Sequence, residues 1–279
     1  MSVWMITGAA RGLGLEIARS ALAGGEQVAL AARSPERLPE DVRTHPQSLP
    51  VALDVTDQDQ LSAAVAAIVD RFGTIDVLVN NAGRALLGAL EEITDEEARS
   101  LFDVNVFGLI NTTRAVLPIM RKAGSGKLVH IGSRSGFEGE PGVSMYSASK
   151  FAVAGISEAL AAELEPFGIQ SMVVEPGVFR TDFLDESSVQ LPVGRITDYD
   201  GTPAHVTLDW REEANHAQLG DPVKGARFIF QVVSGANLPL HLLVGQDALD
   251  RRAVMAERID SETAPLREAS AATAHGSDG

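Results

Sequence analysis

Tyr146 and Lys150 stand four residues apart in the run Tyr146-Ser147-Ala148-Ser149-Lys150. On a helix this spacing puts both side chains on one face, and an ammonium beside a phenol favours the phenolate. A free tyrosine titrates near 10, so efficient proton exchange at neutral pH needs a drop of about 3 units, or roughly 4 kcal/mol of differential stabilisation. One lysine supplies only part of that. Ser133 precedes Tyr146 by 13 residues, and Asn105 lies further upstream in a long helical pattern. Taken singly, a Tyr-x-x-x-Lys pair is often a surface feature, Ser133 a turn residue and Asn105 a helix-interior hydrogen bonder. Together they point to acid–base chemistry.

A second set of residues points to phosphate. Thr7-Gly8-Ala9-Ala10-Arg11-Gly12-Leu13-Gly14 follows an apolar run and opens a helical pattern. Glycines there let the backbone turn sharply and approach a phosphate, while a helix N-terminus offers free N–H donors. The alternative is an ordinary strand-to-helix turn, since the spacing is not G-x-G-x-x-G. About 20 residues on, where an NAD site places an acid to hold the ribose hydroxyls, the chain reads Ala32-Arg33-Ser34. An arginine in place of the acid suits a 2′-phosphate, with Arg11 as a second cation, and this favours NADP(H). Glu36 is the nearby residue that opposes the assignment. Asp54, followed by Val55, is placed either to accept from the adenine amino group or to cap the next helix. Asn80-Asn81-Ala82-Gly83 ends a further apolar run, and Asn81, Ala82 and Gly83 are further candidate cofactor residues.

The elements that must position these residues alternate. Strand candidates are Val3 to Thr7, Gln27 to Ala31, Ser48 to Leu53, Ile75 to Asn80, Lys127 to Ile131, Gln170 to Val174 and Leu240 to Val244. Helical patterns lie between them, which is the signature of βαβ units and a parallel sheet. Thr56-Asp57-Gln58-Asp59 opens one amphipathic run, and Arg99 to Lys122 and Tyr146 to Phe167 form two long ones, each stopped by glycine. Phe183 to Gly220 lacks a strand pattern and reads as a lid. A helical pattern from Gln246 to Ile259 follows the last strand, and the tail from Ala269 to Gly279 reads as disordered. The domain is placed at residues 1–260 and the tail at 261–279.

The chain has 279 residues, 45% hydrophobic and 22% charged, so it is globular rather than disordered. Its formal charge of −15 argues against nucleic acid and anionic membrane surfaces as partners. Residues 1–43 are balanced, with five basic and five acidic groups, so the acid surplus lies beyond the glycine-rich region. The absence of cysteine excludes disulfides and thiolate chemistry, the six histidines show no metal spacing, and no metal is expected. His130 reads as a core histidine in a strand. No apolar run reaches the roughly 18 residues needed to cross a membrane, no targeting segment is evident, and a cytoplasmic location is expected.

Thr-Gly-x-x-x-Gly-x-Gly, Asn-Asn-Ala-Gly, Ser133, Tyr-x-x-x-Lys and Pro176-Gly177, in this order and spacing, resemble the short-chain dehydrogenases/reductases over roughly Val3 to Val244. The resemblance implies an α/β fold: a doubly wound, mostly parallel seven-stranded sheet of Rossmann type, in a single domain with the lid at about 183–220. It implies Tyr146 as acid/base and Ser133 as donor to the substrate oxygen. Lys150 would hold the nicotinamide ribose, and Asn105 would position a water leading to Lys150. Pro176, Gly177, Val178 and Thr181 would lie along the nicotinamide, and Gly8, Ala10, Arg11, Gly12, Leu13, Gly14, Arg33, Ser34, Asp54 and Val55 along the rest of the cofactor. The long lid and C-terminal helix resemble the broad subgroup of 17β-hydroxysteroid dehydrogenases. Gly132 departs from the pattern, since a second serine commonly precedes Ser133. The expected activity is NADP(H)-dependent interconversion of a carbonyl and a secondary alcohol on a neutral, moderately apolar small molecule. Leu86, Phe137, Met145, Phe179, Phe183 and Leu184, with Arg84 nearby, are the expected pocket walls. A homodimer or homotetramer paired through the two long helices is expected. A catalytically silent cofactor-binding sensor on the same fold is the alternative.

Overall fold

The computed structural model describes residues 1–275. Its first half runs β1 (Val3–Thr7), α1 (Gly12–Ala23), β2 (Gln27–Ala32), α2 (Glu40–Arg43), β3 (Ser48–Ala52), α3 (Gln58–Phe72), β4 (Val77–Asn80), β5 (Ala85–Leu86), α4 (Asp95–Phe102), α5 (Leu109–Ala123) and β6 (Gly126–Ile131). The second half adds α6 (Ser144–Leu164), β7 (Ile169–Pro176), β8 (Val189–Gln190), α7 (Pro203–Ala214), α8 (Pro222–Ser234), β9 (His241–Val244), α9 (Gln246–Thr263) and α10 (Arg267–Ala271). Seven strands form one parallel sheet in the order β3-β2-β1-β4-β6-β7-β9. The order reverses between β1 and β4, and in such sheets the ligand crevice opens beyond the strand C-termini at that reversal.

Both sheet faces are covered, as a parallel sheet requires. Trp4 and Ile6 of β1 pack with α1 and α8, while Val3 and Met5 pack with α3 and α5. The period-2 alternation of side chains divides one apolar strand between two cores. Asp57 caps α3, its carboxylate accepting from the N–H groups of Asp59 and Gln60 at 3.0 Å each. Gly124 (φ 68°) and Gly168 (φ 67°) adopt the left-handed conformation after the two long helical segments.

The first of those segments is not one helix. Between α4 and α5, residues Asp103–Gly108 form a π-helical turn that places Asn105 in the interior. A Cβ on Gly108 would lie 2.5 Å from Val55 Cγ2, so this glycine lets the helix approach the loop after β3. The supposed lid is also more structured than expected. It contains α7, and β8 pairs in parallel with β5. The tail expectation is corrected in part, because Ala269 to Ala271 belong to α10; residues 276–279 lie outside the described residues. No helix among the described residues is long and apolar enough to cross a membrane.

Candidate active site

Tyr146 and Lys150 lie on one face of α6, both buried. Lys150 Nζ donates to the Ile131 carbonyl at 2.8 Å and sits 5.8 Å from the centroid of the Tyr146 ring. Burial lowers the Lys150 ammonium to about 8. Burial pushes the Tyr146 phenol up to about 12, against a weaker pull downward from a hydrogen bond with Ser133; Glu140 raises it and Arg134 lowers it. Lys150 is not among the groups that shift the phenol, and its ammonium is anchored on the Ile131 backbone carbonyl. Ser133 follows β6, and its hydroxyl accepts the Ser135 N–H at 3.1 Å. That bond uses a lone pair and leaves the hydroxyl proton to donate.

The Asn105 side chain is held by three hydrogen bonds. Its Oδ1 accepts the Arg84 N–H at 2.9 Å, and its Nδ2 donates to the Arg84 carbonyl at 2.9 Å and to Ser149 Oγ at 3.1 Å. The side chain thus locks the chain after Asn80-Asn81-Ala82-Gly83 to α6. A Cβ on Gly83 would lie 3.3 Å from Asn105 Oδ1 and 3.8 Å from Lys150 Nζ, so the three residues converge. Gly132 is explained by packing: a Cβ there would lie 2.8 Å from Val173 Cγ2 and 3.0 Å from the Val174 carbonyl oxygen.

The glycine-rich turn forms a cradle of backbone. Gly8 (φ 67°) and Gly12 (φ 57°) need the left-handed region, and a Cβ on Gly14 would fall 2.3 Å from Asn81 Nδ2. Asn81 is thereby a brace: its Nδ2 donates to the carbonyls of Thr7 (2.9 Å) and Gly8 (3.1 Å), while Thr7 Oγ1 accepts from the Asn81 and Ala82 N–H groups. Ala10 and Leu13 are partly buried against the core, and Val55 is buried. Asp54 neither caps α3 nor stands free. Its Oδ1 accepts from the Thr56 N–H and hydroxyl at 2.9 and 2.7 Å. Arg33 is exposed at the end of β2, beside Ser34. Across the crevice, Thr181 faces the cradle, its Cβ 3.6 Å from where a Cβ on Gly12 would lie.

Arg11 reaches from the cradle to the lid. Its guanidinium binds the Ser187 hydroxyl, the Ser187 carbonyl (3.0 Å) and the Ser188 hydroxyl (2.8 Å), so it ties the cradle to the lid. The lid packs over Tyr146. Phe183 lies 6.0 Å from Tyr146 between ring centroids, and Leu86, Met145, Leu184, Val189 and Leu208 complete the apolar cover. Phe179 is corrected from pocket wall to core. Its ring lies against Gly220 and Gly225, leaving no room for a Cβ at either position. Arg84 points to Ser100 of α4 rather than into a pocket. A cleft of about 610 Å³ runs along Leu184, Asp185, Ser187, Arg211 and Asn215.

Sequence reasoning missed several residues. His205 is fully buried in α7, its Nε2 2.8 Å from Glu92 Oε1 and its Nδ1 3.0 Å from Asp200 Oδ1. Glu92 also accepts the N–H groups of Ala89 and Ile196, so it is the anchor point of the lid. Asp182, Asp185 and His216 come within 4.8 Å of one another, a grouping that histidine spacing did not suggest; His216 Nε2 lies 3.2 Å from Asp185. Asp247 at the start of α9 supports the Gly177–Val178 backbone. An acid in a first helical turn was visible in the sequence, but its partner was not.

The short chain dehydrogenase family model matches residues 2–191. Oxidoreductase BOA17 of Botryotinia fuckeliana is 39% identical over 274 residues, 98% of this chain and 99% of that protein. A 3-ketodihydrosphingosine reductase of Bacteroides thetaiotaomicron is 38% identical over 242 residues, 86% and 87% of the two chains. A solved short-chain dehydrogenase from Streptomyces avermitilis superposes with a TM-score of 0.89 at 37% identity, covering 98% of this chain and 100% of that one. Two more distant structures, at 26% and 25% identity, were solved with NADH and with NADP. The family model covers more than half of the chain and the relatives reach 39% identity over 98% of it, so the chain belongs to the short-chain dehydrogenase/reductase family of oxidoreductases.

Proposed function

We propose that this protein is an NADP(H)-dependent reductase that converts a ketone on a neutral, moderately apolar small molecule to the secondary alcohol. The observation that carries the reading is the buried Tyr146 and Lys150 pair on one face of α6, with Tyr146 packed beneath the apolar lid against Phe183. The backbone of the cradle from Gly8 to Gly14, the Asn81-Ala82-Gly83 turn and Thr181 fit a dinucleotide, whose nicotinamide supplies the hydride when bound. Arg33 with Ser34, and no acid at the end of β2, supports a 2′-phosphate and hence NADP(H) over NAD(H).

In this reading Ser133 donates to the carbonyl oxygen as charge develops on it, the task of an oxyanion donor. Tyr146 carries its proton at neutral pH, because burial holds the phenol near 12, and gives that proton to the same oxygen. Lys150 would hold the ribose and re-protonate the site, and its burial-lowered ammonium can exchange protons closer to neutrality. Asn105 keeps Arg84 and Ser149 in register around it. The lid side chains Phe183, Leu184 and Leu208 favour an apolar ketone and exclude water from the step.

The long lid and the α9 extension support the 17β-hydroxysteroid-dehydrogenase-like subgroup. Phe107, Phe151 and Phe167 are exposed on or beside the two long helices, which supports pairing of two copies there. The test of function is a panel of ketones and alcohols offered with NADPH and with NADH. Steady ketone-dependent oxidation of NADPH supports the reading, and none with any ketone or cofactor rejects it.

A further inference from the structure

Asp247 lies on α9, beyond the residues 2–191 by which the family is matched. Its Oδ2 accepts the Val178 N–H at 2.8 Å. An ideal Cβ on Gly177 would lie 1.9 Å from Asp247 Oδ1, so the carboxylate fills the space directly behind Gly177, and only glycine leaves room for it. The Gly177 N–H donates to the Val244 carbonyl at 2.8 Å. From the lid side, Gly220 donates to the Val178 carbonyl at 3.1 Å and accepts the Arg180 N–H at 2.8 Å. Every backbone bond that fixes Gly177, Val178 and Arg180 thus comes from behind the segment or from its lid edge.

The opposite face of this segment looks into the crevice. Pro176 ends β7 at the C-terminal edge of the sheet, and Thr181 stands against Gly12 of the cradle. The stretch Gly177 to Thr181 is therefore the crevice wall across from the glycine-rich turn, and the C-terminal helix reaches it through one carboxylate. That carboxylate sits in the first turn of α9, where partial positive charge favours an anion, and a charge-assisted bond to an N–H is stronger than a neutral one.

We propose that Asp247 is the positioning residue for the nicotinamide end of the cofactor. By holding the Val178 N–H it fixes the wall on which that end rests, while the adenosine end is held independently by the cradle and the end of β2. The inference rests on the cofactor reading given above. A carboxylate that served only to dock α9 would affect the whole crevice alike, or not at all.

The experiment compares two ligands by calorimetry in the full chain, without turnover: NADP⁺, and 2′-phospho-ADP-ribose, which lacks only the nicotinamide. In Asp247→Ala, NADP⁺ affinity is expected to fall about tenfold while affinity for the fragment stays within about twofold. Asp247→Asn, whose amide oxygen still accepts the Val178 N–H, is expected to retain most of the NADP⁺ affinity. Should Asp247→Ala not fold, Asp247→Ser, too short to reach Val178, is expected to show the same selective loss. Equal weakening of both ligands, or no weakening of NADP⁺, overturns the proposal. A wild-type protein that binds no nicotinamide dinucleotide removes the cofactor reading and the proposal together, and is told apart by the wild-type measurement alone.

Discussion

Lys150 Nζ donates to the Ile131 carbonyl at 2.8 Å and stands 5.8 Å from the Tyr146 ring centroid, so the two buried residues share a helix face with the ammonium anchored on the strand backbone. The consequence is a protonated tyrosine held high by burial. The chain has two tyrosines, Tyr146 and Tyr199, and the hydrogen bond from the Tyr199 hydroxyl to Glu91 also raises Tyr199 above its ordinary range. Absorbance at about 295 nm should therefore detect no tyrosinate below pH of about 10 in the cofactor-free protein. Adding NADP⁺ should lower the titration of one tyrosine, and Tyr146→Phe should abolish that response. A tyrosinate forming near pH 8 without cofactor would contradict the burial argument.

Arg11 and Arg33 separate into two tasks. Arg33→Asp should reduce the preference for NADPH over NADH by about tenfold or more, as a lost charge contact to the 2′-phosphate requires. Arg11→Ala breaks the contacts to Ser187 and Ser188 and should raise the KM for the ketone, with the NADPH to NADH preference changed less than about twofold. Steady-state kinetics with both cofactors checks each variant. A large preference change in Arg11→Ala would return Arg11 to the phosphate.

His130 supplies an acid-sensitive element of stability. Burial lowers it from an ordinary 6.5 to about 4, so between these values the unfolded chain binds a proton that the folded chain does not. Stability from this group is complete above about pH 6.5 and falls as pH drops toward 4. The loss approaches roughly 3 kcal/mol, from about 2.5 units at 1.36 kcal/mol each. Urea unfolding across this range should show the slope, and His130→Gln should flatten it. A wild-type stability that is flat between pH 6.5 and 4 would refute the assignment.

The contact between Glu92 and His205 is a buried anchor of the lid. Glu92→Gln should favour opening and speed protease cleavage within residues 191–200 about tenfold, equivalent to about 1.4 kcal/mol in the opening equilibrium. Cleavage at the wild-type rate, measured under conditions where the body stays folded, would place the anchor elsewhere.

What was legible in the sequence was local. The apolar run of Val3 to Thr7 reported a strand of a parallel sheet, and the four-residue step from Tyr146 to Lys150 reported one helix face. Contacts between distant segments were not legible. The Arg11 side chain meets residues 176 and 177 positions away, and Asp247 meets Val178 across 69. A solvated phosphate ligand and a lid tie look identical in a glycine-rich turn, because the difference lies in which loop folds over it. The π-helical turn at Asp103–Gly108 was hidden for a related reason: the apolar periodicity runs through it, and only the packing of Gly108 on Val55 marks the break.

The central claim is that Tyr146 gives the proton in ketone reduction. Single-turnover oxidation of bound NADPH by the best ketone of a panel, followed by absorbance in wild type and Tyr146→Phe, tests it most directly. A fall in rate of about 100-fold or more with NADPH affinity unchanged is predicted. Turnover by Tyr146→Phe at close to the wild-type rate would contradict the account.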